Sequence, residues 1–411
     1  MSKNEKTGWD VLIIGAGASG MMAAIAAARE GKRVLILEQS DKVGKKILAT
    51  GNGKCNFTNS YMESNCFHGD SAFITRLMEG FSTEDCLAFF HSIGIYPKEK
   101  NGYFYPNSEQ ASSVVLALSE ELRRLSVEIK LQTKVDKIQK SKDSFCLFAG
   151  NEKFYGNKVI VATGLLASPK LGSDGSLFST IKDLGHHFKP IVPALCGFYC
   201  CGLPFKKVSG VRATGKVSAI VDGNMVADDI GEIQFTDYGL SGIPVFQISR
   251  HLSYGLYEKK ITEVTIDLLP DLNLEEVTKE LYTRKLRNCS VDMFLNGLLN
   301  KKLTDALWEM LQIHPQTLMS TLSEKQLSQI AKTLKNIKVK VNKWRDYEFA
   351  QICAGGIPAE EICVKTFESA YVEGLYFTGE ILNIDGICGG YNLHIAWGSG
   401  LIAGEAAGRA I

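Results

Sequence analysis

Trp9-Asp10-Val11-Leu12-Ile13-Ile14 runs without a break into Gly15-Ala16-Gly17-Ala18-Ser19-Gly20, and from there into an alanine-rich segment, Met21 to Arg29. An apolar run that stops at a glycine turn reads as a buried parallel strand, and the residues after the turn are mostly strong helix formers. The Gly-x-Gly-x-x-Gly spacing at such a junction predicts a phosphate-binding turn. Gly15 permits the tight turn, Gly17 lets a pyrophosphate approach the backbone, and Gly20 lets helix and strand pack closely. Ala16, Ala18 and Ser19 complete the turn. A second apolar run, Arg33 to Leu37, ends in Glu38 followed by Gln39, about twenty residues beyond the glycines, where an acid accepts the hydroxyls of an adenosine ribose. Strand, turn, helix and acid agree on an ADP site in an α/β fold.

Beyond Glu38, the segment Gly44 to Asn59 is too rich in glycine and polar residues for a strand or helix and reads as a working loop. Lys46 is placed to meet phosphate oxygens. Gly51 and Gly53 let backbone amides approach a flat ring, with Cys55 and Asn56 beside them. Helices are expected over Ser82 to Ile93 and Ser112 to Ser126, with an aromatic turn, Gly102-Tyr103-Phe104-Tyr105-Pro106, between them. Val127 to Ser141 alternates as an edge strand would, and Val135 within it is counted among the cofactor contacts. Asn157 to Val161 is a buried strand that stops at the small turn Ala162-Thr163-Gly164.

From Pro190 to about Leu269 short alternating strands predict an inserted β-rich domain. Asn273 to Lys335 turns to leucine-spaced helices. The C-terminal run returns to strand-then-glycine at Gly374 to Glu380, continues through Asp385 and Gly390-Tyr391-Asn392, and ends in a helix over Leu393 to Ala410 with small residues at Ala396, Gly400 and Gly404. The expected domains are 1–189, 190–271, 272–336 and 337–411, the last returning through the β-rich domain to complete the first.

With 411 residues, 45% hydrophobic and 22% charged, the chain is long enough for two or three domains around a sizeable core. A net charge of +1 gives no general argument for nucleic acid or an anionic membrane. The 11 cysteines include no CxxC pair, so neither a zinc site nor a dithiol redox centre is expected, and no metal is assigned. Met1 to Gly8 is polar and lacks the apolar core of a signal peptide, which points to the cytoplasm.

Three strand ends that stop in small turns, at Gly15, Ala162 and Gly379, suit a long, two-ended cofactor rather than a mononucleotide. Glu380 follows the third. Asp385 is placed for a ribityl or phosphate-side hydroxyl. The start of the last helix, at Gly390, Tyr391, Asn392 and Leu393, aims its amides and positive dipole at an isoalloxazine.

Taken in order, Gly15 to Gly20, Gly44-Lys45-Lys46-Ile47, Gly53-Lys54-Cys55-Asn56-Phe57-Thr58-Asn59, Phe235-Thr236 with Gly239-Leu240-Ser241-Gly242, Ala354-Gly355-Gly356, and Gly379-Glu380 through Asp385-Gly386 to Gly389-Gly390-Tyr391-Asn392 resemble the BaiN/YhiN-type NAD(P)/FAD-dependent flavoproteins over nearly the whole chain. The resemblance implies a glutathione-reductase-like FAD-binding Rossmann domain with an inserted β-barrel-like domain, a small helical insert and a non-covalent FAD. For at least one member it implies reduction of ring carbon–carbon double bonds in steroid-like acids. This chain departs from the family at Leu165, where a second glycine is usual, and at Asp237 and Ile243, where His and Pro are usual.

The leading expectation is an FAD-dependent oxidoreductase that passes electrons from NAD(P)H, bound transiently because no second glycine fingerprint is visible, to a small apolar acceptor. Tyr391 is the candidate proton donor. Cys55 and His394 read as packing residues. The alternatives are an RNA-modifying flavoprotein, with the lysine-rich segment Lys332 to Lys343 as its basic stretch, and an FAD-binding protein without turnover.

Overall fold

A computed structural model of the chain describes residues 8–286 and 289–409. The polar N-terminal stretch lies outside them apart from Gly8, as does Ala410, the expected last residue of the C-terminal helix. The chain divides into two units, one made of the residues up to Ile191 together with those from Ile352 onward, the other spanning Val192–Gln351.

In the first unit the opening motif folds as its residues dictate. Strand β1 is Trp9–Ile14, helix α1 is Ala18–Arg29 and strand β2 is Val34–Leu37. Strand β3, Glu152–Val161, and strand β4, Leu375–Phe377, complete the centre of a parallel sheet. The sheet runs in the order β4, β3, β1, β2, then Glu128–Lys130. Ile14 is in register with Leu37 and with Val161, and Val161 with Phe377. The four strands therefore end on one line, and the residues that follow them, Gly15, Glu38, Ala162 and Thr378, stand side by side. In open α/β sheets ligands bind outside these carboxyl ends. The strand residues Val11, Leu12, Ile36, Val159, Ile160 and Phe377 are buried, as a sheet covered on both faces requires.

Helix α2, Tyr391–Arg409, packs along α1. A Cβ on Gly400 would lie 2.4 Å from the Ser19 carbonyl oxygen, and one on Gly404 2.3 Å from that of Ala23, so the two backbones touch where small residues line the face.

Two sequence expectations are revised in this unit. Val127 to Ser141 is not one strand: Gln132 takes a left-handed conformation (φ 52), separating Glu128–Lys130, parallel to β2, from Lys137–Lys140, antiparallel to Phe145–Ala149. The glycine-rich loop contains a short helix, Lys45–Ala49, followed by the turn Thr50–Gly53.

In the second unit, Phe198–Cys201, Gly239–Ser241, Asn224–Phe235, Arg212–Val221, Thr262–Asp267 and Ile337–Trp344 form a closed barrel in that spatial order. Its last strand returns to the first, pairing Trp344 with Phe198. Val217, Ala219, Ile233, Phe235, Val264, Ile266 and Val339 are fully buried in it. A helix, Ile243–Tyr257, which the sequence reading did not anticipate, lies within the β-rich stretch; Pro244 occupies its first turn, where a missing N–H costs nothing. The helices Leu274–Lys285, Lys301–Leu311 and Glu324–Lys335 belong to the same unit.

Candidate functional site

The three glycines of the first turn sit in different surroundings. Gly15 has φ 103, and a Cβ there would lie 2.6 Å from the Ala162 carbonyl oxygen; a Cβ on Gly20 would lie 2.0 Å from that of Gly15. Both positions are dictated by the chain's own backbone. A Cβ on Gly17 would meet nothing within 4 Å. Gly17 is also the N-cap of α1, with no side chain capping the helix and no acid in its first turn, so the dipole end and the early amides around Ala18 and Ser19 remain uncompensated by side chains. This is a cradle that an anion would complete.

Glu38 is buried, 8% exposed, beside that cradle. Its Oε2 accepts the Ala16 amide at 2.7 Å and its Oε1 the Ser40 amide at 2.7 Å, which fixes the carboxylate while leaving each oxygen a second lone pair. The carbonyl of Glu38 accepts from Thr133 N at 2.8 Å, bringing buried Val135 to the same edge. Gln39, the next residue, is held through its amide: Nε2 donates to the Gly172 carbonyl at 2.8 Å. That bond lays the segment after β3 against Glu38. Ala162 N donates to the Ile14 carbonyl at 2.9 Å, and Thr163 leads to Gly164 (φ 66), packed on Ser173.

At the fourth strand end, Gly379 N donates to Ser399 Oγ at 2.9 Å, and a Cβ on Gly379 would lie 2.6 Å from Ser19 Oγ. Glu380 holds Lys46 through a 2.7 Å ion pair on Oε2 and accepts the Cys353 amide at 2.9 Å on Oε1. Asp385, 2% exposed, sits in a short strand opposite His68.

The turn from Gly51 to Asn56 is left-handed at Gly51, Asn52, Gly53 and Cys55 (φ 56, 54, 81 and 59). It delivers Asn56, whose Oδ1 is buried with no hydrogen-bond partner, to the start of α2; a Cβ on Gly390 would lie 2.9 Å from that oxygen. An orphaned acceptor beside a helix N-terminus is a place where a donor is owed. Cys55 is fully buried and its thiol is pushed up to about 12 by desolvation, so it is held as a neutral thiol.

The first turn of α2 is largely spent on its own loop. Asn392 accepts from Gly386 N at 2.8 Å and donates to the Gly386 carbonyl at 2.7 Å, and Leu393 is half-buried beside it. Tyr391, 4% exposed, donates to the Tyr61 carbonyl at 2.9 Å, and burial raises its phenol above the usual range. His394 Nε2 faces the Phe81 carbonyl at 2.9 Å and must donate, so Nδ1 accepts from Thr58 Oγ1 at 2.9 Å; desolvation lowers this neutral imidazole to about 4.

The aromatic segment read as a turn is a strand, Tyr103–Pro106, paired with Thr58–Asn59. It brings Tyr103 within 3.2 Å of where a Gly389 Cβ would stand and Tyr105 within 3.6 Å of one on Gly51. Both half-exposed rings thus belong to the site. Among the described residues, no cluster of His, Cys, Asp and Glu is arranged to hold a metal ion, and no helix is long and apolar enough to cross a membrane.

Residues 9–406 match the family model described as the HI0933-like protein Rossmann domain. The chain is 43% identical over 400 residues to a 3-dehydro-bile acid delta(4,6)-reductase from Clostridium scindens, covering 96% of this chain and 98% of that one. It is 30% identical over 393 residues to a ribosomal RNA dihydrouridine synthase from Escherichia coli, covering 95% and 96%. Among solved structures, the fold resembles that of a 3-ketosteroid-delta4-(5alpha)-dehydrogenase from Rhodococcus jostii, with a TM-score of 0.50 at 16% identity, covering 100% of this chain and 99% of that one. Four aligned strand ends with a glycine cradle, a Rossmann-type FAD-binding fold and these likenesses lead to one conclusion: the chain belongs to the HI0933-like Rossmann family and is an enzyme of the flavoprotein oxidoreductase class.

Proposed function

We propose that this protein binds FAD non-covalently and reduces a ring carbon–carbon double bond conjugated to a carbonyl, with NAD(P)H as a transient electron donor. The observation that carries the reading is the register of the four strand ends, which sets the open Gly17 cradle, the Glu38 carboxylate and the Gly164 and Gly379 turns on one line. A mononucleotide would use only part of that line.

In this reading the first-turn amides of α1 face the pyrophosphate and Glu38 accepts the adenosine ribose hydroxyls. Glu380 and Asp385 serve the sugar-chain side, with Lys46 compensating the Glu380 charge. Asn56 Oδ1 accepts a ring N–H, and the N-terminus of α2 favours negative charge at the adjoining ring edge. The chemistry supplied by the cofactor, when bound, is hydride transfer. The second hydrogen arrives as a proton, for which Tyr391 is the proposed donor; its hydroxyl must then exchange the Tyr61 carbonyl for the substrate. Eleven free cysteines suit a reducing, cytoplasmic setting.

The names of the relatives support the bond type. A delta(4,6)-reductase acts on ring double bonds, and dihydrouridine is uridine with its ring double bond saturated. The higher identity to the bile-acid enzyme favours a small apolar enone as substrate. The second reading, a uracil base in RNA, is favoured by the name of the dihydrouridine synthase relative. The test is NADH and NADPH oxidation by the FAD-loaded protein with cyclic enones, and separately with unmodified ribosomal RNA. Turnover with an enone supports the first substrate and dihydrouridine formation the second; the absence of both activities would sink the proposal.

A further inference from the structure

The unit spanning Val192–Gln351 carries a stack of rings and cations that the nucleotide site does not use. The Arg345 guanidinium carbon lies 3.7 Å from the ring centre of Phe349 and 4.3 Å from that of Tyr238. Tyr238 in turn stands 5.2 Å from Tyr199, over whose ring Lys343 Nζ lies at 5.9 Å. Phe349 keeps 54% of its surface exposed. Arg345 Nε is buried with no hydrogen-bond partner, a donor for which the fold supplies no acceptor.

The barrel strand Ile337–Trp344 leads into this stack. Ile337, Val339 and Val341 are buried in the barrel, while Lys338 and Lys340 stand exposed on its outer face, and neither forms an ion pair among the described residues. The acids close by are Asp346, taken up by Lys343 at 2.9 Å, Glu263, the register partner of Lys340, Asp237, which precedes Tyr238, and exposed Glu348, which precedes Phe349.

A lysine row alone is an ordinary solvated face. A lysine row that ends in an exposed phenylalanine stacked on arginine has the two parts that single-stranded nucleic acid needs, cations along the phosphates and a flat surface for unpaired bases. An anionic membrane would use the lysines but has no need of the stack. We propose that this face binds single-stranded or looped RNA, with Lys338 and Lys340 on phosphates and Phe349 stacking an unpaired base. The choice of RNA rests on the second substrate reading above; the surface itself rests on the cluster.

The test is equilibrium binding of a short, unstructured, fluorescent oligoribonucleotide to the FAD-loaded full chain across a salt series. Binding should weaken steeply with salt. Lys338→Ala with Lys340→Ala should flatten the log–log slope by about 1.4, two phosphate contacts on a single strand. Phe349→Ala should weaken binding about tenfold at an unchanged slope, and this loss should vanish with a duplex of the same length. Wild-type binding that is absent, or variants that bind like wild type, would overturn the proposal. So would anionic phosphatidylglycerol vesicles that bind through the same residues and displace the RNA. Turnover of a small enone by these variants should match wild type. Failure at this surface is thereby separated from failure of the reduction reading.

Discussion

Lys46 Nζ lies 2.7 Å from Glu380 Oε2, 334 positions further along the chain, and so ties the helix after the glycine turn to the last strand end. Both side chains are partly shielded, at 26% and 18% exposure, and the other Glu380 oxygen is held by Cys353 N. Lys46→Ala should cost about 1–2 kcal/mol of stability, because it leaves a hydrogen-bonded carboxylate without its cation. Lys46→Ala, Glu380→Gln and the double variant, compared by urea denaturation, should show a coupling of about 1 kcal/mol. Additive losses would mean that the pair contributes nothing as a pair.

Gly17 and Gly20 should respond oppositely to alanine. Gly20→Ala drives a methyl into the Gly15 carbonyl oxygen and should destabilise the apoprotein by about 1–3 kcal/mol or prevent folding. Gly17→Ala points into open space from an ordinary φ of −80 and should leave the apoprotein melting temperature nearly unchanged while weakening FAD binding. An unchanged FAD affinity in Gly17→Ala would remove the cradle from the cofactor site.

Glu38→Ala removes the acceptor for Ala16 N and Ser40 N as well as the proposed ribose contact. FAD affinity, measured by flavin fluorescence quenching, should fall by about 1–3 kcal/mol. Equal affinity in wild type and variant would reassign the ribose.

The strand–turn–helix and its acid were legible because each signal is local: apolar run, glycine spacing, helix formers, and an acid one strand later. Gly15, Gly20 and Glu38 stand where those signals put them. What escaped the sequence depends on distant partners. Nothing near Gln39 announces Gly172, 133 positions away, and nothing in Tyr103-Phe104-Tyr105 announces its pairing with Thr58–Asn59 beside Gly389. The helix Ile243–Tyr257 was hidden for another reason. Gly242 and Pro244 look like breakers, yet a glycine of φ 102 followed by a first-turn proline starts this helix, with Val245, Ile248 and Leu252 at helical spacing on its buried face.

His394 sets a pH dependence. Its folded-state value, about 4, lies below the ordinary value of 6.5, because desolvation disfavours the imidazolium. The unfolded chain therefore takes up the proton first. Stability is full above about pH 6.5 and is lost as pH falls toward 4, by about 3 kcal/mol in total from this residue. Wild type and His394→Gln, unfolded in urea between these pH values, should differ in slope, the variant being shallower; parallel curves would contradict the assignment.

Tyr391→Phe separates structure from chemistry. Losing the bond to the Tyr61 carbonyl should cost about 1 kcal/mol of stability. If the phenol also delivers the proton, turnover should fall about 100-fold or more with FAD content unchanged. Full turnover in a slightly less stable variant would leave Tyr391 with a structural role only.

The most direct measurement takes the FAD-loaded protein, reduces it anaerobically with light, and mixes it with separate panels of cyclic enones, quinones and disulfides while the flavin absorbance is followed. Rapid reoxidation by enones, with the saturated ketone recovered in equal amount to the flavin oxidised, is the predicted result. Reoxidation by quinones or disulfides alone, with the enones returned intact, would contradict the account.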